Sequence, residues 1–334
     1  MTQSAEFAEI LDQLETEMER APEIVQASEF WQRLNRRHRE RLQVSGLGNF
    51  KRTTAKDYFT WMRVLPWDAQ ILFLISHIPL SATLRAIAGT FSPLRHKYIP
   101  LAEGLALNFL TRLLWSYVGR TEGFSGLSEP EFGNPPAILQ DGRLISQDLA
   151  NSLLEYRSFG NVAKGTVCEL GGGYGRNAFV TASLAEVRYI MADIPPAIGI
   201  AQEYLTTVFP DRKHFKFRPF TSFDQVRDEF EAADFAYLLP HQLALLPAGS
   251  VDLFVNISSL HEMRQAQVNY YLAEIFRLVR PGGHFFLKAW RVSKNPQSDF
   301  KINAEDYDLS QWEALFRRNS DVQTYFFETL VRHP

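Results

Sequence analysis

The fold of this chain is decided by the stretch VCELGGGYG, residues 167–175. Four residues of a short, largely apolar strand run into clustered glycines and then into a helical pattern. Such a turn lets the backbone approach a bound nucleotide closely. Asp193 ends the next apolar strand, where a carboxylate suits hydrogen bonding to the two hydroxyls of a ribose. The pattern predicts a nucleoside-binding site.

The glycine pattern narrows the choice of nucleoside. The NAD fingerprint G-x-G-x-x-G is met only in its variant ending in Ala, from Gly173 to Ala178, and no Walker motif occurs. Glu169 places a carboxylate beside the loop, which suits a cationic ligand better than a pyrophosphate. S-adenosylmethionine carries a ribose, an ammonium and a sulfonium, and is therefore the favoured cofactor.

Strands and helices alternate from residue 166 onward. Apolar strand patterns cover residues 167–170, 189–192, 235–239, 251–257 and 284–289, and a helical pattern covers 268–279. This alternation predicts a parallel sheet with helices on both faces. We expect an α/β, doubly wound, seven-stranded Rossmann-like domain, with residues 325–331 as an antiparallel edge strand.

The amino-terminal part has a different pattern. Residues 1–120 are predicted to be helical, with a basic cluster at 33–41 interpreted as a solvated helix face. Glycines and prolines predict a long ordered loop at 119–142, and Ser146 is the expected N-cap of the next helix. The predicted organisation is a helical region (1–120) that covers the substrate and could pair two copies as a homodimer, a lid or linker (121–150), and a catalytic domain (151–334).

Composition limits the possible functions. The chain has 334 residues, 46% of them hydrophobic, and a net charge of −3, which argues against a general nucleic-acid or membrane-surface role. The single cysteine, Cys168, excludes an internal disulfide. No signal-peptide pattern and no membrane-length apolar run is visible, so a cytoplasmic location is expected. No metal site is expected, since the carboxylates do not obviously converge.

Four ordered motifs carry a family resemblance: ELGGGYGR (169–176), DIPPAI (193–198), VDLFVNISSLHEM (251–263) and VRPGGHFFLKAW (279–290). Together with GLSEPEFGNPPAILQDGRLISQDLANSLLEY (126–156), they resemble class I S-adenosylmethionine-dependent methyltransferases, and most closely the bacterial sugar O-methyltransferases. Plant-type and antibiotic-pathway O-methyltransferases share the GGG, D-[IL]-P and L-H-[DE] elements and are the nearest alternative. The resemblance covers about residues 120–330.

The resemblance implies a role for particular residues. Those expected to contact the cofactor are Glu169, Gly171, Gly172, Gly173, Tyr174, Gly175, Asp193, Ile194 and Asn256, with the ribose at Asp193. Pro240 and Gln242 follow the third strand and are expected near the adenine or the substrate.

Methyl transfer to a hydroxyl needs a base that removes the proton of the attacking oxygen. His261 follows the strand at 251–257, at the edge where open α/β sheets keep their active sites, and the L-H-[DE] element also places a base there. Glu262 is the expected partner, with the two roles exchangeable, and His241 is a second candidate base. Polar residues of the predicted lid are expected to bind substrate hydroxyls: Glu129, Asn134, Gln147 and Asp148.

The predicted activity is O-methylation of a sugar or glycosylated metabolite. A phenolic or polyketide acceptor is the alternative, followed by a non-catalytic scaffold with the methyltransferase fold and a nicotinamide-dependent reductase.

Overall fold

The computed structural model describes residues 3–54, 68–91, 101–121, 123–292 and 301–334. In this part of the chain the helices are α1 (Gln3–Glu19), α2 (Glu29–Ser45), α3 (Phe50–Thr53), α4 (Ala69–His77), α5 (Leu80–Gly89), α6 (Leu101–Val118), α7 (Gln147–Phe159), α8 (Arg176–Leu184), α9 (Ala197–Val208), α10 (Arg227–Glu231) and α11 (Gln265–Leu278). The helix predicted at 268–279 is α11. The region predicted to be helical contains α1–α6 among its described residues.

The strands are β1 (Ala137–Gln140), β2 (Arg143–Ser146), β3 (Gly165–Leu170), β4 (Val187–Ala192), β5 (His214–Phe215), β6 (Phe235–Leu238), β7 (Val251–Ile257), β8 (Val279–Trp290), β9 (Glu313–Asn319) and β10 (Phe326–Arg332). One sheet has the order β5-β6-β4-β3-β7-β8-β10-β9. Its strands from β5 to β8 are parallel, and β10 is antiparallel to both β8 and β9. The predicted α/β class with a largely parallel sheet is confirmed.

Two details of the predicted sheet differ from the structure. The described residues form an eight-stranded sheet rather than a seven-stranded one, and β10 is an inner strand rather than the edge. The additional edge strand is β9, whose side chains are nearly all exposed. Because Phe316 is the one residue of β9 that is half-buried, the sequence of the strand carries no apolar alternation by which it could be recognised.

The loop predicted at 119–142 contains regular structure. Its last residues form β1, which pairs with β2 across a two-residue turn at Asp141 and Gly142. Both turn residues have positive φ, 50° and 77°, the geometry that an Asp-Gly hairpin turn favours. Ser146 caps α7 as predicted, accepting a hydrogen bond from the Leu149 amide at 2.9 Å. Glu122 of this loop lies outside the described residues.

The amino-terminal helices pack against the α/β part in two places. Phe7, Leu11 and Leu14 of α1 lie against Gly199 of α9, and α6 packs on α7. Arg39, in the basic cluster of α2, pairs with Glu15 and Asp12 of α1. The cluster is therefore at least partly balanced by acidic residues within the same helical region. No helix in the described residues is long and apolar enough to cross a bilayer.

Candidate functional site

A pocket lies at the carboxyl ends of the parallel strands β4, β3, β7 and β8. Its walls are the glycine loop (residues 171–175), the turn between β7 and α11, the beginning of β10 and an amino-terminal wall (residues 25–31). In open α/β sheets this edge is where ligands bind, because the loops that leave parallel strands meet there. The predicted cofactor loop and the predicted catalytic turn therefore face one cavity.

The glycine loop has the geometry that its sequence predicts. Gly171 has φ 77°, and a Cβ atom there would lie 2.2 Å from the hydroxyl of Ser259. A Cβ atom on Gly172 would lie 2.7 Å from a carboxylate oxygen of Glu169. A side chain at Gly171 would collide with Ser259, and one at Gly172 would fill the space above Glu169. The loop is therefore a cradle that only glycine permits.

Glu169 is the penultimate residue of β3 and lies beneath this cradle. It is 2% exposed, and its carboxylate accepts hydrogen bonds from the hydroxyl of Tyr189 at 2.9 Å and the amide of Asn177 at 3.2 Å. Burial raises the pKa of Glu169 to about 7, in spite of these bonds. The charge of Arg176 lowers this pKa without overcoming burial, and a buried carboxylate in this state is well matched to a positively charged ligand group.

Asp193 follows β4 and lines the same pocket. Its two oxygens accept hydrogen bonds from the backbone amides of Gly173 and Ile194, each at 2.7 Å. Burial raises its pKa to about 7, against the effect of these two amides. Each carboxylate oxygen can accept a second hydrogen bond, so the group can still receive the hydroxyls of a ribose. Asp193 also fixes the glycine loop to the end of β4.

His261 and Glu262 lie in the turn after β7, on the pocket wall. His261 is 3% exposed and stacks on Trp290, with ring centroids 4.7 Å apart. Its Nδ1 atom has no hydrogen-bond partner among the described residues, and its Nε2 atom is 3.9 Å from the nearer carboxylate oxygen of Glu262. That distance is too long for a hydrogen bond. Burial lowers the pKa of His261 to about 3, which keeps the imidazole neutral at pH 7.

Glu262 accepts a hydrogen bond from a residue in the amino-terminal part of the chain. The indole nitrogen of Trp31, in α2, donates a hydrogen bond to its Oε2 atom at 3.0 Å. Burial raises the pKa of Glu262 to about 8, although the Trp31 hydrogen bond acts in the other direction. The pocket thus contains a carboxylate that changes its charge just above neutral pH.

The amino-terminal wall was not predicted from the sequence. Gln267 of α11 donates hydrogen bonds to the carbonyls of Ile24 and Gln26, at 3.1 and 3.0 Å, and so attaches this segment to the catalytic part. Trp31 and Glu262 are 231 positions apart. No local pattern connects residues so distant, and only the packing of α2 reveals the contact.

Four further polar residues meet at the carboxyl end of β8: Glu155, Arg176, Lys288 and Gln323. Sequence reasoning missed all four. Lys288 gave a signal, since it is a single charge within the apolar strand segment FFLKAW. A lysine that is 3% exposed in such a segment requires a charged or polar partner nearby.

Several predicted site residues lie outside the pocket lining. His241 is not among its residues, and Gln242 bonds only to backbone groups, those of Leu239 and Arg218. Asn256 holds two backbone segments of the site together. Its side-chain amide donates a hydrogen bond to the Leu170 carbonyl at 2.9 Å, and its Oδ1 atom accepts one from the Leu260 amide. Gly175 lies in the loop but does not line the pocket.

The four polar residues of the predicted lid are also absent from the pocket lining. Glu129 forms an ion pair with Lys51 in which both side chains are buried, and Asn134 donates a hydrogen bond to Asn49 at 2.7 Å. Asp148 accepts a hydrogen bond from the hydroxyl of Tyr174 at 2.7 Å, and Gln147 is buried at the start of α7. The ion pair with Lys51 holds the Glu129 carboxylate behind the glycine loop, away from the cavity.

The described residues contain no group of three or more His, Cys, Asp or Glu side chains arranged to hold a metal ion. Residues 168–287 match the family model of a methyltransferase domain. The match contains the glycine loop, Asp193 and the turn of Glu262, and it indicates S-adenosylmethionine as the cofactor. Residues 168–287 are thus similar to a methyltransferase domain that uses S-adenosylmethionine.

No curated protein matches the chain. Among solved structures, the mitomycin 7-O-methyltransferase MmcR is similar with a TM-score of 0.40 and 13% identity, over 56% of this chain and 54% of that one. The Burkholderia thailandensis 1,6-didemethyltoxoflavin-N1-methyltransferase, with bound S-adenosylhomocysteine, has a TM-score of 0.39 and 15% identity, over 56% and 78%. The PH0226 protein of Pyrococcus horikoshii has a TM-score of 0.41 and 14% identity, over 57% and 92%. This chain therefore spans about half the length of MmcR, and similarity at this level does not bear on its acceptor.

Proposed function

We propose that this protein is an O-methyltransferase that uses S-adenosylmethionine to methylate a hydroxyl of a sugar or a glycosylated metabolite. The observation that carries the proposal is Glu262. It is a carboxylate with a raised pKa, held by Trp31, and it lines the pocket that the glycine loop and Glu169 also line. An alcohol oxygen is a weak nucleophile until its proton is removed, and a positioned carboxylate of this kind can remove it.

The residues present fit the cofactor. The glycine loop leaves open the space above Glu169, and Glu169 is a buried carboxylate suited to the ammonium group of the methionine portion. Asp193 would receive the ribose hydroxyls through its remaining lone pairs. When bound, the cofactor supplies a methyl group attached to a sulfonium, a carbon already activated for attack.

The chain's own contribution is to align the acceptor and take its proton. Glu262 would accept the proton of the acceptor hydroxyl, which prepares that oxygen for the methyl group that the cofactor would supply. Glu262 suits this role better than His261, because burial holds the pKa of His261 near 3 and that of Glu262 near 8. A base works best when its pKa is near the working pH. We therefore assign the base to Glu262 and the partner role to His261, the reverse of the roles that the sequence motif favours.

His261 retains a structural part in this proposal. Its ring stacks on Trp290 and also contacts Phe326, with ring centroids 6.1 Å apart, and all three rings line the pocket. These aromatic rings make an apolar wall beside Glu262. Such a wall excludes water from the reacting oxygen and suits the apolar face of a sugar ring. It would equally receive a flat phenolic ring, which keeps a phenolic acceptor as the second candidate.

The first experiment is calorimetric titration with S-adenosylhomocysteine, with NADH as the comparison ligand. Saturable binding of S-adenosylhomocysteine alone is expected, and Asp193→Ala should weaken it. Binding of NADH alone would favour the reductase alternative, and an unchanged affinity in Asp193→Ala would remove the ribose assignment.

The second experiment follows the transfer of a labelled methyl group to a panel of sugars, glycosides and phenols. We expect product with a sugar hydroxyl in the wild type and a loss of at least about 100-fold in turnover in Glu262→Gln. Glu203→Gln, which removes a carboxylate outside the pocket lining, is the matched control. Product from phenols alone would assign the second candidate, and cofactor binding without any product would favour the scaffold.

A further inference from the structure

A glutamine side chain lines the pocket from the loop between β9 and β10. Gln323 is 6% exposed, and its Oε1 atom accepts a hydrogen bond from the Lys288 ammonium at 2.8 Å. Since an ammonium group can only donate, this bond fixes which end of the amide points toward Lys288. Lys288 does not belong to the pocket lining. The oxygen end of the amide is therefore occupied by a residue outside the lining.

The nitrogen end of the same amide carries unused donors. The Nε2 atom of Gln323 has no hydrogen-bond partner among the described residues. It is also not one of the unpartnered polar atoms that are sealed from solvent, so it keeps an accessible surface where Gln323 lines the pocket. An amide nitrogen of this kind donates two hydrogen bonds and accepts none. A ligand group that bonds to it must therefore be an acceptor.

The loop that carries Gln323 is bonded to two helices. Asp321 accepts hydrogen bonds from Arg157 of α7 and from the hydroxyl of Tyr117 of α6, at 2.5 and 2.9 Å. Val322 has φ 62°, a conformation that a β-branched residue adopts only where the surrounding structure imposes it. A side chain on such a loop loses little freedom when a ligand binds, which favours its use in recognition.

The neighbours of Gln323 indicate which part of the pocket it faces. Its backbone carbonyl accepts a hydrogen bond from the Phe326 amide at 2.9 Å, so the two residues share one turn. The ring of Phe326 contacts His261 and Trp290, with centroids 6.1 and 6.2 Å away, and these rings form the apolar wall beside Glu262. The glycine loop follows β3, and β7 and β8 lie between β3 and β10. Gln323 is thus on the Glu262 side of the pocket, where the acceptor hydroxyl has to be placed.

The charged groups of the pocket lining are mainly acidic. Its described residues include four carboxylates and one guanidinium, that of Arg176, which is paired with one of the four: Glu155, Glu169, Asp193 and Glu262. By charge alone, this lining would favour an ammonium group over a neutral hydroxyl and would disfavour an anion. Gln323 opposes an ammonium at its own position, because an ammonium has only hydrogens to offer to the amide hydrogens.

We propose that Gln323 is a specificity-determining residue that donates hydrogen bonds to an uncharged oxygen of the acceptor, and so selects a neutral sugar over the amino sugar with an ammonium at that position. This inference rests on the proposed function and specifies its substrate class. A site that hydrogen-bonds a substrate hydroxyl rejects an analogue that leaves the buried partner unbonded. The other possible source of the oxygen is the carboxylate of the cofactor's methionine portion, and the experiment separates the two.

The test is calorimetric titration of the full-length protein, saturated with S-adenosylhomocysteine, at pH 7. The ligands are D-glucose and its monoamino counterparts, in each of which one hydroxyl is replaced by an amino group that is mainly cationic at this pH. In the wild type we expect one position at which the replacement weakens binding by at least about tenfold, the effect of leaving a buried donor unbonded.

Two variants at the same position make this expectation specific. Gln323→Glu keeps an oxygen for Lys288 and presents an acceptor with a negative charge in place of the donors, so it should reverse the preference in favour of the ammonium. Gln323→Leu removes the donors without adding charge and should abolish the preference, which keeps the test valid should Gln323→Glu fail to fold. The exposed change Gln13→Glu alters the net charge equally and should leave the preference intact.

Three results would overturn the proposal. The first is a wild type that binds none of these sugars or weakens equally with every replacement. The second is a position-specific preference that Gln323→Glu and Gln323→Leu both leave unchanged. The third is tighter binding of D-glucuronate than of D-glucose to the wild type, since the oxygen would then be that of an anion.

A further pair of ligands tests the cofactor as the source of the oxygen. S-adenosylhomocysteine and its decarboxylated analogue are titrated against the wild type and Gln323→Leu. If Gln323→Leu abolishes a preference for the carboxylate-bearing cofactor and leaves the sugar preference unchanged, the donors belong to the cofactor and the proposal is overturned. An unchanged cofactor preference together with a lost sugar preference supports the assignment to the acceptor.

These measurements record binding and do not depend on turnover. The preference for a hydroxyl over an ammonium can be absent while methyl transfer to a sugar succeeds, and it can be present where no transfer occurs. Failure of this inference and failure of the proposed function are therefore distinguishable.

Discussion

Replacing Glu169 with glutamine is expected to weaken cofactor binding and to remove part of its pH dependence. Burial raises the pKa of Glu169 to about 7 in the unliganded protein, so that the carboxyl is protonated in much of the population at neutral pH. A cationic ammonium above it favours the ionised form. Binding at or below pH 7 therefore releases a proton, and the affinity rises with pH.

The size of this effect follows from the pKa. For one released proton, the apparent dissociation constant is proportional to 1 + 10^(pKa − pH). With a pKa of about 7, this factor is about 11 at pH 6 and about 1.3 at pH 7.5. Glu169 alone should thus make S-adenosylhomocysteine bind about eightfold more tightly at pH 7.5 than at pH 6. Burial also raises the pKa of Asp193 to about 7. If Asp193 ionises on binding, it adds a separate pH dependence to the affinity.

The assay is calorimetric titration with S-adenosylhomocysteine at pH 6, 7 and 7.5, in buffers of different ionisation enthalpy so that proton release is measured directly. Glu169→Gln should bind S-adenosylhomocysteine more weakly than the wild type at pH 7.5. The ratio of its affinity at pH 7.5 to its affinity at pH 6 should be about eightfold smaller than the same ratio in the wild type. Glu203→Gln should behave as the wild type. A full wild-type ratio in Glu169→Gln would refute the assignment of Glu169 to the ammonium.

Three further outcomes are expected. Turnover of the wild type should rise between pH 7 and pH 9, because burial raises the pKa of Glu262 to about 8 and the ionised form is the base; a flat pH–rate profile would argue against this base. Gly171→Ala should abolish S-adenosylhomocysteine binding in calorimetry, whereas Gly142→Ala, also at φ 77° but with nothing within 4 Å of the added Cβ atom, should retain it. Lys51→Met should lower the free energy of unfolding in urea by about 3–5 kcal/mol, because it leaves the Glu129 carboxylate buried without its cation. Adding Glu129→Gln should recover part of that loss, and a loss below about 1 kcal/mol in Lys51→Met would contradict the reasoning.

The predictions that the structure confirms depend on local patterns. The strand before Gly171, the helix caps and the alternation of apolar strands with helices each involve residues close in sequence. Gly171, Gly173 and Gly175 have positive φ, which glycine adopts without strain, and parallel strands bring Glu169, Asp193 and Glu262 to one edge of the sheet. β9 was missed because an exposed strand leaves no apolar signature.

The sequence by itself determined the α/β fold, the glycine loop and the edge of the sheet where the pocket forms. Tertiary structure alone decided which groups face that pocket and in what protonation state. Burial separates the pKa values of the adjacent residues His261 and Glu262, and burial depends on packing from Trp31 and Trp290. Gln323 lines the pocket from a loop in which Asp321 is bonded to Tyr117 of α6 and Arg157 of α7. Spacing along the chain encodes neither effect, since both arise from contacts between residues far apart in sequence.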